Sequence, residues 1–159
     1  MTKRRRVLVA AILLLATLVS APPNVQGADD RNKALDARQT TEKFLAASLA
    51  GRLKEAASLG EPGKSYDREE KIKEFRDLDA KKLALVRLLV DDQFALAITE
   101  AVVETKRNQK GPLSIRLVKK DKRWLIRDVD FGTKSAEKNL KRFQREHPKA
   151  KVVLPKKDK

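Results

Sequence analysis

With no cysteine and only one histidine among 159 residues, the acid–base candidates in this chain are chiefly carboxylates. Disulfides, thiolate metal sites, a cysteine nucleophile and multi-histidine sites are thereby excluded. Glu100, Glu104, Asp128 and Asp130 lie in segments that alternate as strands do, and Tyr66, Asp67 and Glu70 cluster near a turn. If the sheet curves, either Glu100 or Asp128 could point inward, where burial raises a carboxyl pKa and makes a general acid or base. The competing expectation is that these charges meet solvent or pair with Arg116 and Arg127. Asp91-Asp92 and Asp128-x-Asp130 could attract a hard cation, yet neither has the glycine and terminal glutamate of a calcium loop. A turn and a strand end explain them more simply, so neither a metal nor a cofactor is expected. His147, followed by Pro148, reads as a surface residue at a helix end.

The second chemically distinctive group is basic. Lys and Arg number 37 against 22 Asp and Glu, a formal net charge of +15. Residues 28–133 carry 23 against 19, whereas residues 134–159 carry 10 against 3. Lys134, Lys138, Lys141, Arg142 and Arg145 flank the apolar stripe Ala136, Leu140 and Phe143 of a final helix, and Lys149, Lys151, Lys156, Lys157 and Lys159 follow. Such a helix and tail could lie against an anionic envelope polymer or membrane surface through salt-sensitive contacts. Phe143 is the only aromatic residue from 134 onward, so stacking is lacking and no sequence-specific nucleic-acid binding is expected. A solvated surface without a ligand is the simpler alternative.

Lys3 to Arg6 followed by the apolar run Val7 to Val19 has the form of an export signal, and 13 residues fall short of the roughly 20 that span a bilayer. Cleavage after Ala21 or after Gly27 fits small-residue rules, and retention as an amino-terminal anchor is the alternative. The expected organisation is therefore a signal at 1–27, one domain at 28–148 and a basic tail at 149–159. The tail is expected to be mobile, with docking of Val153 and Leu154 as the alternative.

Ala34, Ala37, Thr41, Phe44, Leu45, Ser48, Leu49 and Leu53 step by three or four and predict an amphipathic helix, with a break near Gly51 and a stop at Gly60-Glu61-Pro62-Gly63. Asp67-Arg68-Glu69-Glu70 resembles a capping box opening a short helix with Ile72 and Phe75 on one side. Beyond Ala80 the period shortens to two. Leu83 to Val90 and Phe94 to Thr105 form one expected hairpin through Asp91-Asp92-Gln93, and Leu113 to Lys120 with Arg123 to Val129 form another. Asn108 to Pro112 is expected to be the turn between the pairs. Leu125 and Val129 share parity while Trp124 and Ile126 have the opposite one. The sheet should then be apolar on both faces, unless Trp124 covers a rim or a bulge changes the register. Two apolar faces also make a homodimer through the outer face an expectation.

This order predicts an α+β fold, with amino-terminal helices packed on a curved antiparallel sheet and a basic carboxyl-terminal helix. The stretch from Leu113 to Val129, with its polar Asp121-Lys122 turn and Trp124-Leu125, resembles the final hairpin of the nuclear transport factor 2-like (SnoaL-like) cone-fold superfamily. The helix from Ala34 to Leu53 resembles its closing helix, and the likeness covers about residues 30–131. That resemblance implies either a noncatalytic binding or association domain, or an isomerase or dehydratase acting on a small apolar substrate in the cone. Glu100, Trp124 and Asp128 would then be the pocket candidates. Catalytic members use Asp, His or Tyr within the cone, and His147 falls outside the matching region. The expectation is an exported, noncatalytic domain in which Trp124 anchors the layer between sheet and helices.

Overall fold

A computed structural model describes residues 25–153, with side chains placed for Lys33 and from Asp36 onward. Of the residues expected to form an export signal, 1–24 lie outside the described residues, and Val25 to Gly27 open the first helix. Lys156, Lys157 and Lys159 also lie outside them.

Helix α1 (Val25–Leu49) buries Ala37, Thr41, Phe44, Leu45 and Ser48, the stripe expected from the spacing. Its end is a Schellman motif: Gly51 takes φ +72°, Arg52 N–H donates to the Ala47 carbonyl at 2.9 Å and Gly51 N–H to that of Ser48 at 3.2 Å. The chain restarts as α2 (Leu53–Ser58) and stops at Gly60. There Ile126 N–H donates to the Leu59 carbonyl and Glu61 N–H to that of Ile126, both at 2.8 Å. A Cβ at Gly60 would run into the Tyr66 carbonyl, so only glycine permits this approach.

The expected capping box does not form. Asp67 ends a 3₁₀ turn, Ser65–Asp67, and its Oδ2 accepts from Gly63 N–H at 2.6 Å, tying the loop behind it rather than the helix ahead. Arg68 occupies the N-cap of α3 (Glu69–Ile72) without a side-chain capping hydrogen bond, and a 3₁₀ turn over Lys73–Asp77 continues from it. Ile72 and Phe75 are buried as their spacing required.

Strands β1 (Leu78–Asp79), β2 (Leu85–Val90), β3 (Phe94–Glu104), β4 (Gln109–Lys120), β5 (Arg123–Phe131) and β6 (Lys151–Val153) form one antiparallel sheet. The order is β5-β4-β3-β2-β6, with β1 beside the far end of β3. Both hairpins stand where the alternation placed them. Gln109 to Pro112, expected as a turn, instead pair with Glu104 to Ala101 as the start of β4. The tail is corrected in the same way. Val152 and Val153 pair with Leu89 and Leu88, so the docked alternative holds for Val153, while Leu154 lies outside the described residues.

Bulges bend this sheet and resolve the parity conflict. Extra residues sit at Val86 in β2, at Thr99-Glu100 in β3 and at Arg127 in β5. The one at Arg127 shifts parity, so that Trp124 and Ile126 share the inner face with Val129 and Phe131. In β3 the Thr99 hydroxyl accepts from Leu113 N–H at 2.9 Å and donates to the Glu100 carbonyl, tying that bulge.

The outer face carries Leu89, Leu96 and Ile98, and Phe143 of α4 (Thr133–Glu146) closes over them with Phe94 and Leu140 at the margin. Asn139 on the same helix face donates to Ser114 Oγ at 2.9 Å and Asp130 Oδ2 at 2.7 Å. The second apolar face is thus covered by the chain's own helix, which removes the reason for expecting a homodimer there. The architecture is α+β, with amino-terminal helices on one side of a curved antiparallel sheet and the basic carboxyl-terminal helix on the other.

Candidate functional site

The inner side of the sheet is where a cone would hold a ligand, and side chains fill it. Phe44, Ile72, Phe75 and Tyr66 descend from the helical layer onto Leu113, Ile115, Leu117, Trp124 and Ile126. Phe44, Phe75 and Tyr66 meet edge to face with centroids 5.5 to 6.3 Å apart. The Tyr66 hydroxyl donates to the Val129 carbonyl at 3.0 Å, and burial, with the Glu74 carboxylate next, pushes the phenol above its ordinary pKa.

What remains open is the mouth. A cleft of about 510 Å³ runs between the Lys73–Asp77 turn and the ends of β3, β4 and β5. Its floor is Phe75, Leu78, Leu113 and Phe131, and its rim carries two ion pairs, Lys71 to Glu74 and Lys106 to Asp77, each 2.6 Å. A second cleft, about 700 Å³, lies between α1 and residues 80–83, where Arg38 pairs with Glu42 at 2.8 Å.

The three pocket candidates do not come together. Trp124 is 3% exposed and belongs to the inner core, with Lys119 Nζ 5.7 Å from its ring centroid. Glu100 is exposed at the β3 bulge. Asp128 pairs with Arg116 across β5 and β4, on the outer face that α4 also covers. Asp130 is bonded to Asn139, Asp92 to Lys33 at 2.9 Å, and Asp91 lies 3.0 Å from His147 Nδ1. His147 is packed rather than a bare surface residue, tilted against Phe94 and Phe143 at 4.8 and 4.5 Å. Among the described residues no group of three or more His, Cys, Asp or Glu side chains is placed to hold a metal ion.

Among the described residues the one buried carboxylate is Glu61, and nothing in its sequence context marks it beyond a place between Gly60 and Pro62. It is 1% exposed, accepts two bonds from Arg127 at 2.7 and 3.1 Å, and meets Lys120 Nζ at 2.7 Å. The Arg127 hydrogen bonds outweigh burial, Lys120 adds to them, and the carboxyl is held at about 2. The arrangement straps the 59–61 loop to the free edge of β5. Asn139 was legible: it stands three residues after Ala136 and four before Phe143, on the buried stripe. Lys134, Lys138, Lys141, Arg142, Arg145, Lys149 and Lys151 are all exposed, and Arg142 pairs with Glu146 at 2.8 Å.

The geometry defines an α+β protein with a curved sheet whose interior is packed and whose mouth is a shallow charged-rim cleft. No family model and no curated protein matches the chain. Among solved structures it is similar to a chain whose name begins Rd1NTF2_05, at 17% identity and a TM-score of 0.47, over 62% of this chain and 98% of that one.

Proposed function

We propose that the chain is an exported, noncatalytic binding or protein-association domain of the nuclear transport factor 2-like cone type. The filled inner layer carries this reading. A cone enzyme needs a water-excluded cavity with a carboxylate aimed into it, and here the space between helices and sheet is taken by Phe44, Tyr66, Phe75 and Trp124. The carboxylates that could have served are placed elsewhere, Glu100 toward solvent and Asp128 against Arg116. The mouth cleft, with an apolar floor under charged rims, suits a small partly apolar ligand or the side chains of a partner protein. Export rests on the basic and apolar leader. Among the described residues no helix is long and apolar enough to cross a membrane.

The reading is tested by screening small apolar compounds for a raised unfolding midpoint and recovering each one that raises it. A ligand at 100 times its Kd adds about 2.7 kcal/mol, a shift of several degrees. The expected result is a ligand recovered chemically unchanged, whose shift is lost in Phe131→Asp at the cleft floor. Recovery of an isomerised or dehydrated product, formed in proportion to protein and abolished by Glu100→Gln or Asp128→Asn, would replace the reading with an enzymatic one. If no compound raises the midpoint, the cleft is left to a partner protein.

A further inference from the structure

Several separate chain segments meet at one pole of the domain. The β2–β3 turn is joined there to α1 through Lys33 and Asp92, at 2.9 Å, and to the end of α4 through Asp91 and His147, at 3.0 Å. Lys119 N–H donates to the Gln93 carbonyl at 2.8 Å, which brings the tip of the β4–β5 hairpin alongside. Lys151 pairs with Val90, so β6 starts at the same level. The field at Asp92 reports this convergence: Lys33 lowers its carboxyl pKa most, and Lys119 and Lys151 add to the effect.

Charge at this pole is unbalanced by pairing. Asp91 and Asp92 are engaged by His147 and Lys33, Glu61 by Arg127 and Lys120, and Glu146 by Arg142. Asp121 is the remaining carboxylate at the hairpin tip. Lys122, Arg123, Arg145 and Lys149 are exposed, and among the described residues none of the four is ion-paired. The opposite pole, where Gly111 abuts Gly132 at the start of α4 and Lys106 is paired with Asp77, also presents exposed cations, among them Arg107, Lys110 and Lys134, so exposed charge alone does not single out either end. The first pole is also the end from which α1 leads back toward residues 1–24, whose four cations precede an apolar run.

We infer that this pole, formed by the β4–β5 hairpin tip and the end of α4, is a docking surface for an anionic phospholipid bilayer. Cations presented from two separate elements on one end suit a plane of headgroups, and a leader engaged with the bilayer turns that end toward it. The inference rests on the export reading for its setting, and on retention of the leader as an anchor for its orientation. Vesicle binding and export are separate measurements, so either can fail alone.

The test compares the full chain with Lys122→Gln, Arg123→Gln, Arg145→Gln and Lys149→Gln combined. Partitioning is measured onto phosphatidylglycerol-containing vesicles and onto pure phosphatidylcholine vesicles at physiological salt. The leader is common to all proteins, so the ratio between the two vesicle types reads the pole. The expected result is a fall in that ratio on the order of 100-fold, at about 1 kcal/mol per cation less screening. The control set Arg107→Gln, Lys110→Gln, Lys134→Gln and Lys138→Gln removes equal charge elsewhere and should change it only a few-fold. Equal losses in the two sets would reduce the effect to net charge and overturn the inference, as would an unchanged ratio in the first set. Soluble polyphosphate that binds the pole as tightly as the vesicles do would reassign it to a polymer and overturn the choice of lipid. Matching unfolding midpoints of the variants show that folding is not the cause.

Discussion

Replacing Trp124 with Ala is expected to lower the free energy of unfolding by about 3 to 5 kcal/mol. The side chain is 3% exposed and packs in the inner core with Ile126, Leu117 and the helical layer. Its indole Nε1–H is buried without a hydrogen-bond partner among the described residues, and losing that group returns part of the cost. Trp124→Phe therefore separates the two contributions, since it keeps most of the apolar volume and removes the unsatisfied donor. Urea unfolding should show a large fall in midpoint for the Ala variant and a small change for Phe. Equal midpoints for wild type and Trp124→Ala would show that the indole lines open space, and the packed-interior account would be lost.

The second large effect is pH-dependent and belongs to Glu61. Its carboxyl is held at about 2, against 4.5 for the free group, by Arg127 first and Lys120 after the opposing cost of burial. A carboxyl whose folded pKa is depressed contributes stability that is complete above the unfolded value. That contribution fades as pH falls from about 4.5 toward 2. The difference corresponds to about 2 to 3 kcal/mol once the half-exposed Arg127 and Lys120 are allowed for. Glu61→Gln keeps the shape and removes the charge. Measured by urea unfolding from pH 7 to pH 2, the wild type should exceed the variant by that amount near neutrality and converge with it at the acid end. A gap that stays constant with pH would mean that Glu61 acts through shape alone.

Elements declared themselves in the sequence where period and breakers agreed. The stripe from Ala37 to Ser48, the Gly51 break and the two hairpins are local signals, and each formed within a residue or two of its expected place except the start of β4, which lies four residues earlier. The capping box failed because Asp67 is recruited backward by Gly63 N–H, a contact that depends on how the Gly60 loop closes on Tyr66. Gly111 and Pro112 look like turn residues, yet they lie within β4, beside the β3 bulge at Thr99-Glu100. The same limit applies to the site. The parity conflict of Trp124 and Leu125 was visible, and the bulge that settles it was one of two solutions until the register of β5 was fixed. Glu61 was not legible, because its partners lie 59 and 66 positions away and only the loop-to-edge bonds at Ile126 bring them together. Glu100 and Asp128 show the reverse case: alternation gave them a face, and bulges and Arg116 took them away from the interior.

The interior itself can be interrogated without a variant, since Trp124 is the only tryptophan in the chain. The measurement is its fluorescence in the folded protein, with acrylamide as collisional quencher, against the same protein in urea. A packed inner layer predicts blue-shifted emission that acrylamide barely quenches when folded, moving to water-like, readily quenched emission only as the chain unfolds. Red-shifted emission that is already readily quenched in the folded protein would show a solvent-filled cone, and would contradict the reading of this fold as a closed core with its function at the surface.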